Sequence, residues 1–339
     1  MYRAHVSLSR EAARALETGR WDGLVSRVLA SALAPVAARG LVRPAAVPSD
    51  IALVCVGGAT LGGSGKTRVA IACAVELAAR GLNVALVGHA YRAAPRSARL
   101  VSVDDALADV GDEALVCARE LDARRTMVPV VIGPTRQAAI DHAAKLSPRP
   151  DAIVLDGPIA VRGRSGDRSL SLLAVDANRP WGSGRLPPAG DLRAAREVLL
   201  GHADHVVPVE AMPAGVRWPS GERASIASLR SASIGLFTAI ARPDRLVRAL
   251  AAAGVRPKEV VSVADHGALA PVASRLRRAP VDVWVGTAKC ALHLGAVSLD
   301  LPVGILEAAD VRLPPPVLRS LGSLCSSSAG CVRRLHGVP

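Results

Sequence analysis

A chain of 339 residues is long for one hydrophobic core, so two domains are expected. Half of the residues are hydrophobic but only 2% are aromatic, so the cores must be built from Ala, Val and Leu. A net charge of +13 favours polyanionic partners. The scarcity of stacking aromatics and the lack of any helix-turn-helix, zinc-finger or RNA-binding signature make nucleic acid the weaker choice in that class, and no nucleic-acid partner is expected. The six cysteines have no C-x-x-C metal spacing. Cys325 and Cys331 flank a Ser/Ala/Gly stretch and read as part of a flexible tail rather than a pair. Residues 1 to 19 are charged throughout, so no secretory signal is expected there, and the reading is a reducing cytoplasm.

The first periodic segment is residues 20 to 43. Trp21, Leu24, Val25, Val28, Leu29, Ala32, Leu33 and Val36 follow helical i, i+3, i+4, i+7 spacing, with Arg20, Arg27, Arg39 and Arg43 at its ends or within it. Its uncharged run from Val28 to Ala38 is far shorter than the roughly 20 residues of a membrane span. A helix on an anionic membrane surface and a helix packed on its own domain both fit this pattern.

Residues 51 to 80 carry the strongest signal. The apolar run Ile51 to Val56 predicts a buried strand, Gly57 to Gly65 a glycine-rich turn, and Lys66-Thr67 the start of a helix ending near Arg80. This is the layout of a phosphate-binding loop. Backbone N–H groups freed by glycine turn toward phosphate oxygens, and the helix N-terminus adds partial positive charge. Thr60, Gly62, Gly63, Ser64, Gly65, Lys66 and Thr67 are the predicted nucleotide contacts. Lys66 would reach the outer phosphates and Thr67 would place its hydroxyl on Mg²⁺. Thr60 stands where the strict G-x-x-x-x-G-K-[ST] pattern has glycine.

Farther on, Asn83–Val87 reads as a strand, Val101–Val103 as a short strand, and Gly111-Asp112-Glu113 as the start of a helix reaching Asp122. Its acids suit the positive helix N-terminus. Val128–Ile132 and Asp151–Asp156 read as strands around a helix from Thr135 to Lys145. Four apolar residues ending in Asp156 give the form in which the acid helps hold Mg²⁺. A strand over Leu170–Asp176, a helix over Leu192–Leu200 and a strand over Ala203–Val209 complete this domain. Beyond it, Ile234–Ala239, Glu259–Val263 and Val281–Gly286 read as strands alternating with helices over Pro243–Ala253 and Ala268–Arg278. The expected fold is α/β: a P-loop NTPase-like parallel sheet, a second, smaller α/β domain and an N-terminal amphipathic helix. Its expected divisions are 1–45 helix region, 46–210 P-loop domain, 211–232 linker, 233–313 second domain and 314–339 flexible tail.

Taken together, the segments Val56 to Thr67, Gly111-Asp112-Glu113, Leu186 to Arg193 (LPPAGDLR) and Asp265-His266 resemble the tetraacyldisaccharide 4'-kinase family. They match its V-G-N-x-[ST]-V-G-G-[ST]-G-K-T, G-D-E, L-L-P-A-G-x-L-R and D-H-[HY] motifs in order, and the family pattern also lacks glycine at the place of Thr60. The resemblance implies a lipid kinase of lipid A biosynthesis. It would transfer phosphate from ATP, with Mg²⁺, to the 4'-hydroxyl of a tetraacyldisaccharide 1-phosphate. The N-terminal helix would dock peripherally on the cytoplasmic face of the inner membrane. It also implies that Asp112 accepts the hydroxyl proton and that His266 pairs with it, with Lys66 completing the catalytic set. Thr67 and Asp156 become the metal ligands, and Tyr91, Arg92 and Arg193 the substrate contacts.

The chain departs from the family pattern in four places. S-R-G-Y reads Gly88-His89-Ala90-Tyr91, and D-D-G-F-Q-H reads Asp156-Gly157-Pro158-Ile159-Ala160-Val161. The Glu after L-R is Ala194, and T-T-x-K-D reads Gly286-Thr287-Ala288-Lys289-Cys290. Two other readings therefore stand beside the kinase: a membrane-associated P-loop ATPase switch, and a catalytically degenerate relative that binds lipid phosphate.

Overall fold

The computed structural model describes residues 11–326 except 89, 91–92, 94, 164–167, 211, 241, 264–266 and 296. The chain forms two compact units, one of residues 19–209 and 311–339, the other of residues 1–18 and 210–310.

The larger unit opens with helix α1 (Leu24–Leu41) and a two-residue strand β1 (Val42–Arg43). Strand β2 (Ala52–Gly58) follows, buried at every position, as its unbroken apolar sequence demands of a central parallel strand. After helix α2 (Lys66–Ala79) come β3 (Val84–Val87), β4 (Arg99–Leu100), a short helix α3 (Leu107–Val110) and α4 (Asp112–Ala123). The unit continues through β5 (Val130–Ile132), α5 (Arg136–Ala143), β6 (Ala152–Gly157), β7 (Ala160–Val161), β8 (Ser169–Asp176), α6 (Arg196–Gly201) and β9 (His205–Val209). Seven strands make one sheet in the order β4-β5-β3-β6-β2-β8-β9, with β4 its antiparallel edge. On one face Ile51, Leu53, Cys55, Ile140, Ile153 and Leu155 form a single core. The register Val56↔Asp156 places the ends of β2 and β6 side by side. Phosphate loop and acid therefore emerge from the same sheet edge, where α/β proteins place ligands.

The smaller unit holds β10 (Pro213–Arg217), β11 (Arg223–Ser225), β12 (Ile234–Thr238), α7 (Pro243–Ala252), β13 (Glu259–Ser262), α8 (Ala273–Arg278), β14 (Val283–Thr287), α9 (Ala288–Leu292) and β15 (Val303–Ala308). Its six strands run β11-β10-β15-β14-β12-β13, and β10 and β11 are antiparallel to their neighbours. Helical residues 11–18 belong to this unit as well, where Glu17 lies 3.7 Å from the buried Arg242. The chain then returns to the larger unit as helix α10 (Pro315–Ser326).

The structure draws several boundaries differently from the sequence reading. The expected linker 211–232 supplies two strands of the second sheet, held by the fully buried Val216. The expected tail forms α10, whose Val317, Leu321 and Leu324 are buried at i, i+4, i+7 and which packs on α2 and β8. Burying such side chains contributes roughly 1.5–3 kcal/mol each, enough to hold a short helix despite its prolines and serines. The N-terminal region divides at Thr18/Gly19 rather than near residue 45. Strand β4 lies at Arg99–Leu100, ahead of the expected Val101–Val103. The helix expected from Leu192 begins only at Arg196, because the backbone of residues 191–193 pairs with the glycine-rich loop. Cys331 lies outside the described residues, while Cys325 is a buried thiol of α10.

The helix predicted in residues 20–43 forms, but its orientation is unexpected. The small Ala30 is buried, whereas Leu24 (81% exposed), Val25, Val28, Leu29, Leu33 and Val36 are exposed. Among the described residues no helix is long and apolar enough to cross a membrane.

Candidate phosphate-binding and metal site

The loop between β2 and α2 turns on glycine. Gly63 and Gly65 adopt φ of +70° and +80°, a left-handed region open to glycine at little cost. No side chain caps α2, so its first N–H groups face a loop built to receive an anion. Thr60 is buried and donates its hydroxyl to the Gly62 carbonyl at 2.8 Å, so its hydroxyl serves the loop's own turn.

Lys66 is surrounded by oxygen. Its Nζ lies 3.3 Å from Thr67 Oγ1, 3.4 Å from Glu113 Oε2 and 3.5 Å from Asp156 Oδ1. Thr67 donates its hydroxyl to Asp156 Oδ2 at 2.7 Å. Burial pushes the lysine pKa down, but Asp156 and Glu113 outweigh it and hold the ammonium above its usual value. Asp156 is 2% exposed, and its Oδ1 accepts no hydrogen bond among the described residues. A buried carboxylate whose Oδ1 meets only the Lys66 ammonium at 3.5 Å among the described residues, beside a hydroxyl oxygen, offers the oxygen donors a hard cation such as Mg²⁺ takes. No group of three His, Cys, Asp or Glu among the described residues could hold a metal by itself. Thr67 and Asp156 fit an ion that keeps waters and phosphate oxygens as its other ligands.

Asp112 and Glu113 open α4, which packs on α2. Asp112 is buried at 3% exposure, unusual for an aspartate, and Glu113 reaches Lys66. Arg193 donates its Nε to the Thr60 carbonyl at 2.8 Å and its backbone N–H to the Ala59 carbonyl at 2.8 Å. Burial lowers its pKa against the opposing pull of Asp156 and Glu113, whose fields it feels. Arg136, at the start of α5, donates Nη1 to the Asp156 carbonyl at 3.1 Å, and burial lowers its pKa too.

The structure thus brings together Lys66, Thr67, Asp156 and Arg193, with the loop glycines and Ser64 around them. Tyr91, Arg92, His266, His89 and Asp265 lie outside the described residues. Sequence reasoning missed the ion pair of Glu113 with Lys66 and the place of Arg136. Glu113 was next to a chosen acid, and Arg136 follows a strand's carboxyl end, the position that selected other candidates. The segment that departs from the family is apolar and sealed. Ile159 packs so closely on Gly57 that a Cβ there would stand 2.8 Å from its Cα, and Ala160-Val161 pair with β1. Gly157 has φ +124° beside Arg136, a conformation that rejects an aspartate. Ala194 is buried. Cys290 is a buried thiol of the smaller unit whose Sγ accepts from Thr287 Oγ1 at 3.1 Å.

A glycine loop between a central parallel strand and an uncapped helix, with Lys-Thr at the helix start and an acid ending the adjacent strand, defines a P-loop nucleotide-binding protein. The model of the family described as tetraacyldisaccharide-1-P 4'-kinase matches residues 25–301. The chain belongs to that family. Relatives named tetraacyldisaccharide 4'-kinase include one from Anaeromyxobacter dehalogenans, 33% identical over 254 residues, 65% of each chain. Another from Nitrobacter winogradskyi is 31% identical over 73% of this chain and 75% of its own. A third from Brucella suis is 33% identical over 74% and 76%. The chain thus spans about 65% of the length of the Anaeromyxobacter relative. In fold it is similar to the crystal structure described as the "apo" form of LpxK from Aquifex aeolicus in complex with ATP. That likeness has a TM-score of 0.62 at 19% identity, over 88% of this chain and 95% of that one.

Proposed function

We propose that this chain transfers the terminal phosphoryl group of ATP to the 4'-hydroxyl of a tetraacyldisaccharide 1-phosphate, working peripherally at the cytoplasmic face of the inner membrane. The observation that carries the reading is the cluster of half-buried Lys66 and Thr67 with buried Asp156 under an open helix N-terminus. The loop N–H groups and α2 hold the β- and γ-phosphates, and Lys66 moves from its carboxylates onto their oxygens. Thr67 and Asp156 would hold Mg²⁺, which when bound would offset charge on the phosphate oxygens. Asp112, buried at the start of α4, accepts the proton as the sugar hydroxyl attacks phosphorus, and ADP departs. His266 supports Asp112, the role its family motif gives it. Arg193 sits where it can meet a phosphate oxygen while its Nε keeps the loop in place.

Two features support a lipid acceptor. α1 presents an outward row of large aliphatic side chains, suited to an acyl surface. A pocket of about 490 Å³ lies between α1 and residues 181–197, lined by Ala30, Trp181 and Leu186 with Arg27, Arg185 and Arg196 at hand. Apolar walls beside guanidinium groups suit an acylated phosphosugar.

The test is phosphate transfer with Mg²⁺-ATP and detergent-dispersed tetraacyldisaccharide 1-phosphate, for wild type, Lys66→Ala and Asp112→Ala. Transfer by the wild type that falls on the order of 10²-fold or more in each variant supports the reaction and both roles. ATP turnover with no labelled lipid would replace the kinase with an ATPase switch. Lipid binding with no turnover would favour the degenerate relative, the reading that the apolar Gly157–Val161 segment supports.

A further inference from the structure

The nucleotide loop is not held by its own glycines alone. Its first half, Ala59 to Leu61, is paired with residues 191–193 as a short antiparallel bridge between Thr60 and Leu192. The Leu61 N–H donates to the Asp191 carbonyl at 2.9 Å, and the Arg193 N–H donates to the Ala59 carbonyl at 2.8 Å. Residues 191–193 are in turn fixed by one buried side chain. Asp191, 4% exposed, accepts from the Ser183 N–H at 2.8 Å and the Ser183 hydroxyl at 2.9 Å. Its own N–H donates back to Ser183 Oγ at 3.0 Å, closing the ring. The turn beneath has no spare room: a Cβ on Gly182, at φ +56°, would stand 2.3 Å from Asp191 Oδ1.

A buried carboxylate is costly to keep unless hydrogen bonds or charge pairing offset its desolvation, and here the Ser183 N–H and hydroxyl do so in part. Here it orders a segment that touches the nucleotide loop at three successive residues and carries Arg193 to the Thr60 carbonyl. We infer that Asp191, with Ser183, is a positioning residue for the nucleotide loop. It sets the backbone of Ala59–Leu61 through the loop at 182–193 and so tunes the affinity for nucleotide from outside the phosphate cradle. This inference rests on the phosphate-binding reading of that cradle.

The experiment measures binding of a fluorescent ATP analogue, with no lipid present, to wild type, Asp191→Ala, Asp191→Asn and Ser183→Ala. Thermal midpoints are recorded alongside. Asp191→Ala, which removes the acceptor of two hydrogen bonds, is expected to weaken nucleotide binding about tenfold. Ser183→Ala is expected to weaken it by a smaller factor in the same direction. Asp191→Asn keeps an oxygen for the Ser183 N–H and is expected to stay within about threefold of wild type. If Asp191→Ala does not fold, Ser183→Ala decides. Affinity unchanged in the folded variants, with only the thermal midpoint lowered, overturns the positioning role and leaves the phosphate site standing. A folded wild type that binds no nucleotide overturns both.

Discussion

Helices α2 and α1 are both rich in aliphatic residues, yet they use them in opposite ways. In α2, Val69, Ala70, Ile71, Cys73, Ala74 and Leu77 are buried, and its N-terminus is left to the glycine loop. In α1, the buried positions are Ala30 and, at its C-terminal end, Leu41, while Leu24, Val25, Val28, Leu29, Leu33 and Val36 stand exposed. One helix spends its apolar surface on the sheet that positions Lys66 and Thr67. The other keeps that surface available, beside a pocket that carries arginines. Apolar periodicity alone therefore does not say which side of a helix is buried. Small residues on the opposite side of α1 allow close approach to its own unit, and the large ones then point outward.

That contrast can be broken from either side. Leu77→Ala removes a fully buried side chain from α2 and is expected to destabilise the larger unit by about 2–5 kcal/mol, checked by denaturant unfolding. The triple change Val25→Ser, Val28→Ser and Leu29→Ser in α1 is expected to shift stability by less than about 1 kcal/mol. The same variant should lose most of its binding to anionic phospholipid vesicles in a flotation assay. Equal loss of stability in the two variants would mean that α1 is packed as α2 is.

A smaller effect sharpens the account of the site. The folded pKa of Lys66 stands above the free value of 10.5. Its ion pairs with Asp156 and Glu113 therefore contribute fully below that free value and are lost as pH rises through the folded one. The stability difference between wild type and Lys66→Met should be constant from about pH 6 to 9 and shrink above the free value of 10.5, read from unfolding curves across pH. The smallest expected signal is chemical. Burial pushes the Cys73 thiol up to about 12 and Cys117 well above its usual value. Native protein at about pH 8 should leave both unlabelled by a thiol reagent in peptide mass mapping, and unfolded protein should label both.

The sequence was most informative where local chemistry and tertiary need coincide. The run from Ile51 to Val56 reads as a buried parallel strand, and Gly-Lys-Thr as a turn and a helix start. Asp156 followed from four apolar residues ending in an acid downstream of that loop, and the pairing of its strand with β2 came from the structure. The rest depended on pairings between distant residues. Thr60 was chosen as a nucleotide contact, but its hydroxyl bonds Gly62 and its carbonyl accepts from Arg193, a partner 133 positions away. Residues 211–232 looked like a linker because their apolar positions are few, and pairing with β15 is what draws them into the second sheet. In α10, three aliphatics at helical spacing were hidden among prolines, glycine and serines.

Asp156 is the acid at the end of β6, beside the phosphate loop, on which the proposed transfer depends. The most direct measurement follows labelled phosphate from ATP into tetraacyldisaccharide 1-phosphate as Mg²⁺ is varied, for wild type and Asp156→Asn. Transfer by the wild type is expected, with a several-fold higher Mg²⁺ requirement and a large loss of rate for Asp156→Asn. Unlabelled lipid with the folded wild type at saturating Mg²⁺, or an Asp156→Asn variant indistinguishable from it, would contradict the account.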